Sequence, residues 1–243
     1  HDQWMVNIVT AADSRRTVQP LADRLMDRYP KVVSVINNIT SRKAGVAVGE
    51  FEHTLAGSDF ITDKIDGFEF EISANSFFQT NSRGAELLFK IVAKYAGLSG
   101  TETVLDLYSG TGTIPILLSE HCKAVTGIEI VDSAVADAVK NCRKNDISNC
   151  RFIKGDIRQC LSQITQRPDV VIIDPPRVGM HKDAVKQMLD LGVGRMIYVS
   201  CNPATMARDL QMMQDNYRIE EVQPVDMFPH TYHVEAVARL AKL

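Results

Sequence analysis

Val104-Leu-Asp-Leu-Tyr-Ser-Gly-Thr-Gly-Thr-Ile-Pro115 is the stretch on which the fold turns. An apolar run ends near an acidic residue, two closely spaced glycines permit positive φ in a tight turn, and helix-forming residues follow. The segment predicts a strand, a turn and a helix start, the opening unit of a nucleotide-type α/β fold. A dinucleotide fingerprint needs a third small residue where this chain has Pro115, which argues against NAD.

Downstream, strand-like and helix-like segments alternate: AVTGIEI, SAVADAVKNCRKN, CRFIKGD, DVVIIDPP, DAVKQMLDLG, RMIYVSC, TMARDLQMMQD and YRIEEVQPVDMF. That order predicts parallel strands joined by crossover helices, hence an α/β, doubly wound, Rossmann-like domain with its ligand beyond the carboxyl ends of the strands. Asp106, Glu129, Asp156, Asp174 and Cys201 each fall at or just past such an end. Upstream, the spacing predicts a helix over 83–95 with Leu87, Leu88, Ile91 and Val92 on one face and Gly97 closing it. Residues 1–71 mix β-type runs with one helix, and Gly45, Gly49, Gly57 and Gly67 mark turns. They are expected to form a small α+β domain ahead of a main domain at 72–243.

The 243 residues, 45% hydrophobic and 23% charged, suffice for a real core and exclude global disorder. No apolar run reaches the roughly 18 to 20 residues of a membrane span, and no secretory pattern opens the chain, so no membrane role is expected. The chain begins at His1 directly in an apolar run, as expected of a fragment with a domain missing upstream. Lys+Arg number 27 against Asp+Glu 30, a net charge of -3, so no whole-chain electrostatic footprint for nucleic acid appears. Cys122, Cys142, Cys150, Cys160 and Cys201 form no C-x-x-C pair, which speaks against a zinc site or a disulfide framework and for a reducing cytoplasm.

Three acids at successive strand ends suit an adenosine pocket without phosphate. Glu129 is placed to accept both ribose hydroxyls and Asp156 an adenine amino group, and Asp106 suits a sulfonium or the amino end of methionine. With Gly110 and Gly112 they resemble the S-adenosylmethionine-binding methyltransferases. Asp174-Pro-Pro-Arg177 leaves its strand as a rigid, donor-poor loop. The related loop of amino-group methyltransferases carries an aromatic where this chain has Arg177, which makes that activity the weaker expectation. Cys201, between Ser200 and Asn202 and ahead of Pro203, suits a thiol exposed at a cleft, and a polar or positive setting would lower its pKa. The loop Val225-Asp-Met-Phe-Pro-His-Thr-Tyr-His-Val-Glu235 suits one carboxylate held as a general base ahead of a final strand.

DPPRVG, IYVSCNPAT, VDMFPHTYHVE and FFQTN at 77–81 together resemble the RNA uracil-5 methyltransferase family, which modifies tRNA and 23S rRNA. The likeness covers about Phe70 to the C-terminus. It implies a methyltransferase catalytic domain at 72–243, S-adenosylmethionine as methyl donor, no metal in this fragment, and RNA as the partner, with 23S rRNA set ahead of tRNA and no protein partner. The family's RNA-binding barrel and iron–sulfur cysteine cluster are not seen in this stretch. The resemblance makes Cys201 the nucleophile that adds to uracil C6 and Glu235 the base that removes the C5 proton. It adds Gln79, Tyr108 and Thr113 to Asp106, Gly110, Gly112, Glu129, Asp156 and Asp174 around the cofactor or base. Tyr-Ser-Gly-Thr-Gly-Thr departs from the phenylalanine, cysteine and asparagine common at this turn. Two other readings compete: an RNA cytosine-5 methyltransferase, and a catalytically silent RNA- or cofactor-binding module. Cytosine enzymes commonly place the cysteine after a proline, whereas Pro175 and Pro176 precede Arg177.

Overall fold

The computed structural model describes residues 2–41 and 49–243. Gly45 lies outside the described residues. The chain divides into two compact units, His1–Lys64 with Glu69–Phe78, and Ile65–Phe68 with Gln79–Leu243. The boundary drawn at residue 71 falls within Glu69–Phe78, which groups with the first unit.

The first unit holds β1 (Trp4–Thr10), α1 (Arg15–Arg28), β2 (Val32–Ile39), β3 (Phe51–Gly57), β4 (Phe60–Ile65) and β5 (Phe68–Ser73). β2 is central, parallel to β1 and antiparallel to β3. Its small core gathers Ala22, Val32 and Val35, with Val6, Ile8, Leu25 and Met26 packed around them. β4 and β5 pair through a turn at Asp66 and Gly67.

The second unit opens with α2 (Ser82–Ala96), whose N-terminus Asn81 caps by accepting from the Gly84 amide at 3.0 Å. Gly97 ends it in the left-handed conformation. The buried stripe is Ala85, Leu88, Phe89, Val92 and Tyr95, and Leu87 is 61% exposed. The face expected through Leu87 is thereby corrected, because positions 85, 88, 92 and 95 keep helical phase while 87 lies a residue out of it.

There follow β6 (Thr103–Leu107), α3 (Thr113–Leu118), β7 (Ala124–Glu129), α4 (Asp132–Lys144), β8 (Cys150–Lys154), α5 (Ile157–Leu161) and β9 (Val170–Ile173). Then come α6 (Lys182–Leu191), β10 (Arg195–Ser200), α7 (Pro203–Met213), β11 (Tyr217–Val225) and β12 (Glu235–Lys242). Seven strands form one sheet in the order β11-β12-β10-β9-β6-β7-β8, the doubly wound, Rossmann-like α/β arrangement the alternation predicts. β9 is buried along its whole length and β10 from Met196 onward, as parallel strands covered on both faces must be. The sheet is not wholly parallel: β12 runs antiparallel to both β10 and β11. A loop, not a helix, joins β11 to β12, and strands so joined pair antiparallel.

Candidate active site

The chain reverses direction across the sheet between β6 and β9, the switch point at which ligands sit in such folds. Along that edge the strand order sets Glu235, Cys201, Asp174, Asp106, Glu129 and Asp156 in a row. Cys201 follows β10 and Glu235 begins β12. The ladder ends by pairing Ser200 with Ala236, the residue before Cys201 and the residue after Glu235. The inserted antiparallel strand is what brings a strand start to this edge.

The row is electrostatically crowded. Burial pushes Asp106 well above the usual carboxylate range, and the charges of Asp174 and Glu129 push it further. Asp174 rises to about 7, through burial first and then through Glu235. Burial also raises Glu235, with Arg177 opposing. The Cys201 thiol, expected to fall in a polar setting, is raised instead. Burial is the main cause, Glu235 and Asp174 add to it, and Arg177 acts against it.

At the glycine turn, Tyr108 takes the uncommon φ of 66°. Its amide and that of Ser109 donate to the Ile128 carbonyl at 3.0 and 3.1 Å, which pins the turn to β7. Gly110 donates its amide to Glu129 Oε2 at 3.0 Å, and Val131 donates to Oε1 at 2.8 Å. Glu129 is thereby fixed, and each oxygen keeps a lone pair for a hydroxyl. Among the described residues a side chain at Gly110 would meet nothing within 4 Å, so the turn is open above it, whereas one at Gly112 would strike Phe152 and Ala138. Thr113 starts α3, its Oγ1 lying 3.4 Å from that of Thr111. Tyr108, Glu129 and Asp156 line a cavity of about 170 Å³ whose apolar wall is Ile128, Ile130 and Ile157.

Asp156 does more than the sequence suggests. It caps α5 through the Arg158 amide at 2.9 Å, and the Arg158 guanidinium grips both its oxygens at 3.0 and 2.9 Å. That grip holds its carboxyl at about 2. Gln79 sits partly buried in the coil ahead of α2, and no hydrogen bond joins it to the row among the described residues.

Several supports escaped the sequence reading. Asn202 and Thr205 donate to the Arg177 carbonyl at 3.1 and 3.2 Å, tying the Asp-Pro-Pro loop to the segment after Cys201. Buried Asp209 accepts from Tyr198 Oη at 2.6 Å and from the Met180 amide at 2.7 Å, clamping the far end of that loop. Asn81 Nδ2 donates to the Met227 carbonyl at 2.8 Å, anchoring the loop that leads to Glu235. Only Asn81 and Asn202 carried a signal, as polar residues at helix starts within distinctive motifs. The wall residues Ile130 and Ile157 were legible too, each following directly on an expected site acid. Among the described residues no His/Cys/Asp/Glu group could hold a metal ion. None of the helices among them is long and apolar enough to cross a membrane.

A seven-stranded sheet with an acid-lined glycine turn at its switch point defines the Rossmann-like methyltransferase class. Comparison with known proteins sharpens this. The family model described as tRNA (uracil-5-)-methyltransferase matches residues 15–243, and the chain belongs to that family. An uncharacterized RNA methyltransferase of Chlorobaculum tepidum is 44% identical over 98% of this chain and 51% of its own length. One from Bacteroides thetaiotaomicron is 43% identical over 96% and 52%. The crystal structure of the Pyrococcus abyssi tRNA (uracil-54, C5)-methyltransferase in complex with S-adenosyl-L-homocysteine is 36% identical, with a TM-score of 0.81, over 98% of this chain and 56% of that one. The chain thus spans about half the length of the curated relatives it matches.

S-adenosylmethionine is the cofactor that family membership gives, and the residues fit it. Among the described residues both carboxyl oxygens of Asp106 are buried with no hydrogen-bond partner, a demand for donors that an amino acid end meets. The open turn at Gly110 and the braced Glu129 suit the remainder.

Proposed function

We propose that the protein methylates C5 of a uridine in RNA through a covalent adduct between Cys201 and C6, with 23S rRNA as the first substrate to test and the cytoplasm as its setting. The observation that supports the reading is the antiparallel pairing of Ser200 with Ala236, next to Cys201 and Glu235 in sequence, in a chain of this family. Uracil C5 is a poor nucleophile. Cys201 loses its proton to solvent and adds to C6 as the thiolate, so that C5 gains the electron pair it needs. S-adenosylmethionine, bound at the glycine turn, supplies the methyl group. Glu235 then takes the proton from C5, and the electron pair left behind expels the Cys201 thiolate. Asp174, titrating near 7, supplies a neutral carboxyl that donates toward a base oxygen as negative charge develops there. The target base must leave its stack to reach the thiol. In this division Gln79, Asp106, Tyr108, Gly110, Gly112, Thr113, Glu129 and Asp156 serve the cofactor side. The small α+β unit of His1–Lys64 with Glu69–Phe78 precedes the catalytic part of the chain in sequence.

A second substrate reading, tRNA, is favoured by the Pyrococcus abyssi neighbour, whose substrate is tRNA. Trapping distinguishes the two. Fluorine at C5 cannot leave as a proton, so 23S rRNA and tRNA transcripts carrying 5-fluorouridine should stall as denaturation-resistant adducts with the protein. The expected outcome is an adduct on 23S rRNA that Cys201→Ala abolishes. An adduct on tRNA alone moves the substrate, and one with 5-fluorocytidine instead moves the base. No adduct with any transcript, alongside intact cofactor binding, leaves the silent module.

A further inference from the structure

Tyr232 is 87% exposed although it lies three residues from buried Glu235. The loop beneath it is firmly set. His230 turns the chain with a φ of 78°, and Thr231 donates both its amide and its hydroxyl to the Phe228 carbonyl, at 3.1 and 2.8 Å. The His233 ring sits behind Tyr232 with centroids 4.2 Å apart and planes tilted by 42°. Arg177 donates to His233 Nδ1 at 3.2 Å, and its own carbonyl is held by Asn202 and Thr205. A solvent-facing ring, a second ring and a guanidinium therefore stand in series on the two loops that flank Cys201.

We infer that Tyr232, backed by His233 and Arg177, is a stacking platform for a nucleobase of single-stranded RNA next to the base that enters at Cys201. The inference rests on the proposed uridine methylation for its choice of neighbour. Unstacked RNA bases are held on aromatic faces and arginine planes, and a tyrosine offers such a face with little rotamer entropy to lose. Extruding one base leaves its neighbour without a stacking partner, and an exposed ring beside the entrance replaces that partner.

The test is fluorescence anisotropy with a labelled single-stranded RNA of about 12 nucleotides containing one uridine, a length suited to one binding groove. Tyr232→Ala should weaken binding by about 5- to 150-fold, the range of one lost base–aromatic stack. Tyr232→Phe should bind as wild type does, and S-adenosylmethionine affinity should be the same in all three proteins. An alanine variant that binds like wild type, a phenylalanine variant as weak as alanine, or no binding by any of them overturns the platform. Because binding is read without turnover, wild-type protein that binds through Tyr232 yet transfers no methyl group overturns the uridine reading and leaves the platform standing.

Discussion

Replacing Asp174 by asparagine removes a carboxyl that the folded protein holds in its neutral form, and the consequence depends on pH with a definite sign. The carboxyl rises from an ordinary 3.8 to about 7 in the fold. Below pH 4 it is protonated in folded and unfolded chains alike, and the two variants should differ little. Between pH 4 and 7 the unfolded chain ionises while the folded one resists, so the wild type loses stability that asparagine keeps. Above 7 both states are ionised and the loss levels off. At about 1.36 kcal/mol per pH unit the span sets a ceiling of roughly 4 kcal/mol. Asp174 keeps some contact with solvent and owes part of its rise to Glu235, itself a raised acid, so a gain of roughly 2 kcal/mol is expected at pH 8. Urea denaturation of both proteins at half-unit steps from pH 4 to 8 measures it. A difference constant with pH, or an asparagine variant less stable at pH 8, would refute the account of a carboxyl raised by burial and by the charge of Glu235.

The Cys201 thiol is raised by Glu235 and lowered by Arg177, so Glu235→Gln should speed its alkylation by iodoacetamide at pH 8 and Arg177→Gln should slow it, with unchanged rates in both showing that neither charge reaches the sulfur. Gly112 adopts a φ of 80°, and an added Cβ would lie 2.8 Å from Phe152 and 2.9 Å from Ala138. Gly112→Ala should therefore cost about 2–4 kcal/mol in urea unfolding, from strained backbone and overpacking together.

How far the sequence carries can be followed residue by residue. The alternation of strand and helix and the acids closing successive strands are local patterns, so the sheet and the positions of Asp106, Glu129 and Asp174 on its edge were legible. The face of α2 was misjudged because Leu87 and Leu88 are equally apolar, and only tertiary packing chooses between them. The direction of β12 is likewise non-local: no residue in AVARLAKL says which neighbour it will join. The raised Cys201 could not be foreseen, since Ser200 and Asn202 suggest a polar pocket while the burial that chiefly raises the thiol, and the carboxylates that add to it from the ends of β9 and β12, come from tertiary packing. Asp156 shows the opposite case, an acid at the expected place whose guanidinium partner lies two residues on, in plain view of the sequence.

The antiparallel strand of the seven-stranded sheet is also where fold and site join. In a purely parallel sheet every strand reaching the ligand edge delivers its last residues, and residues from two strands meet only through their exit loops. β12 instead arrives at that edge with its first residue. Six ladder pairs, from Arg195 with Ala241 to Ser200 with Ala236, fix its register against β10. The strands that lead to Cys201 and from Glu235 are thus joined by backbone hydrogen bonds, while the loops around them are held separately by Asn81, Asn202 and Asp209. Because a one-residue slip would carry every side chain of β12 to the other face, the ladder fixes the Cys201–Glu235 relation more firmly than flexible loops would. The surrounding loops are then free to vary without disturbing that pairing, and the exposed Tyr232 stands on one of them.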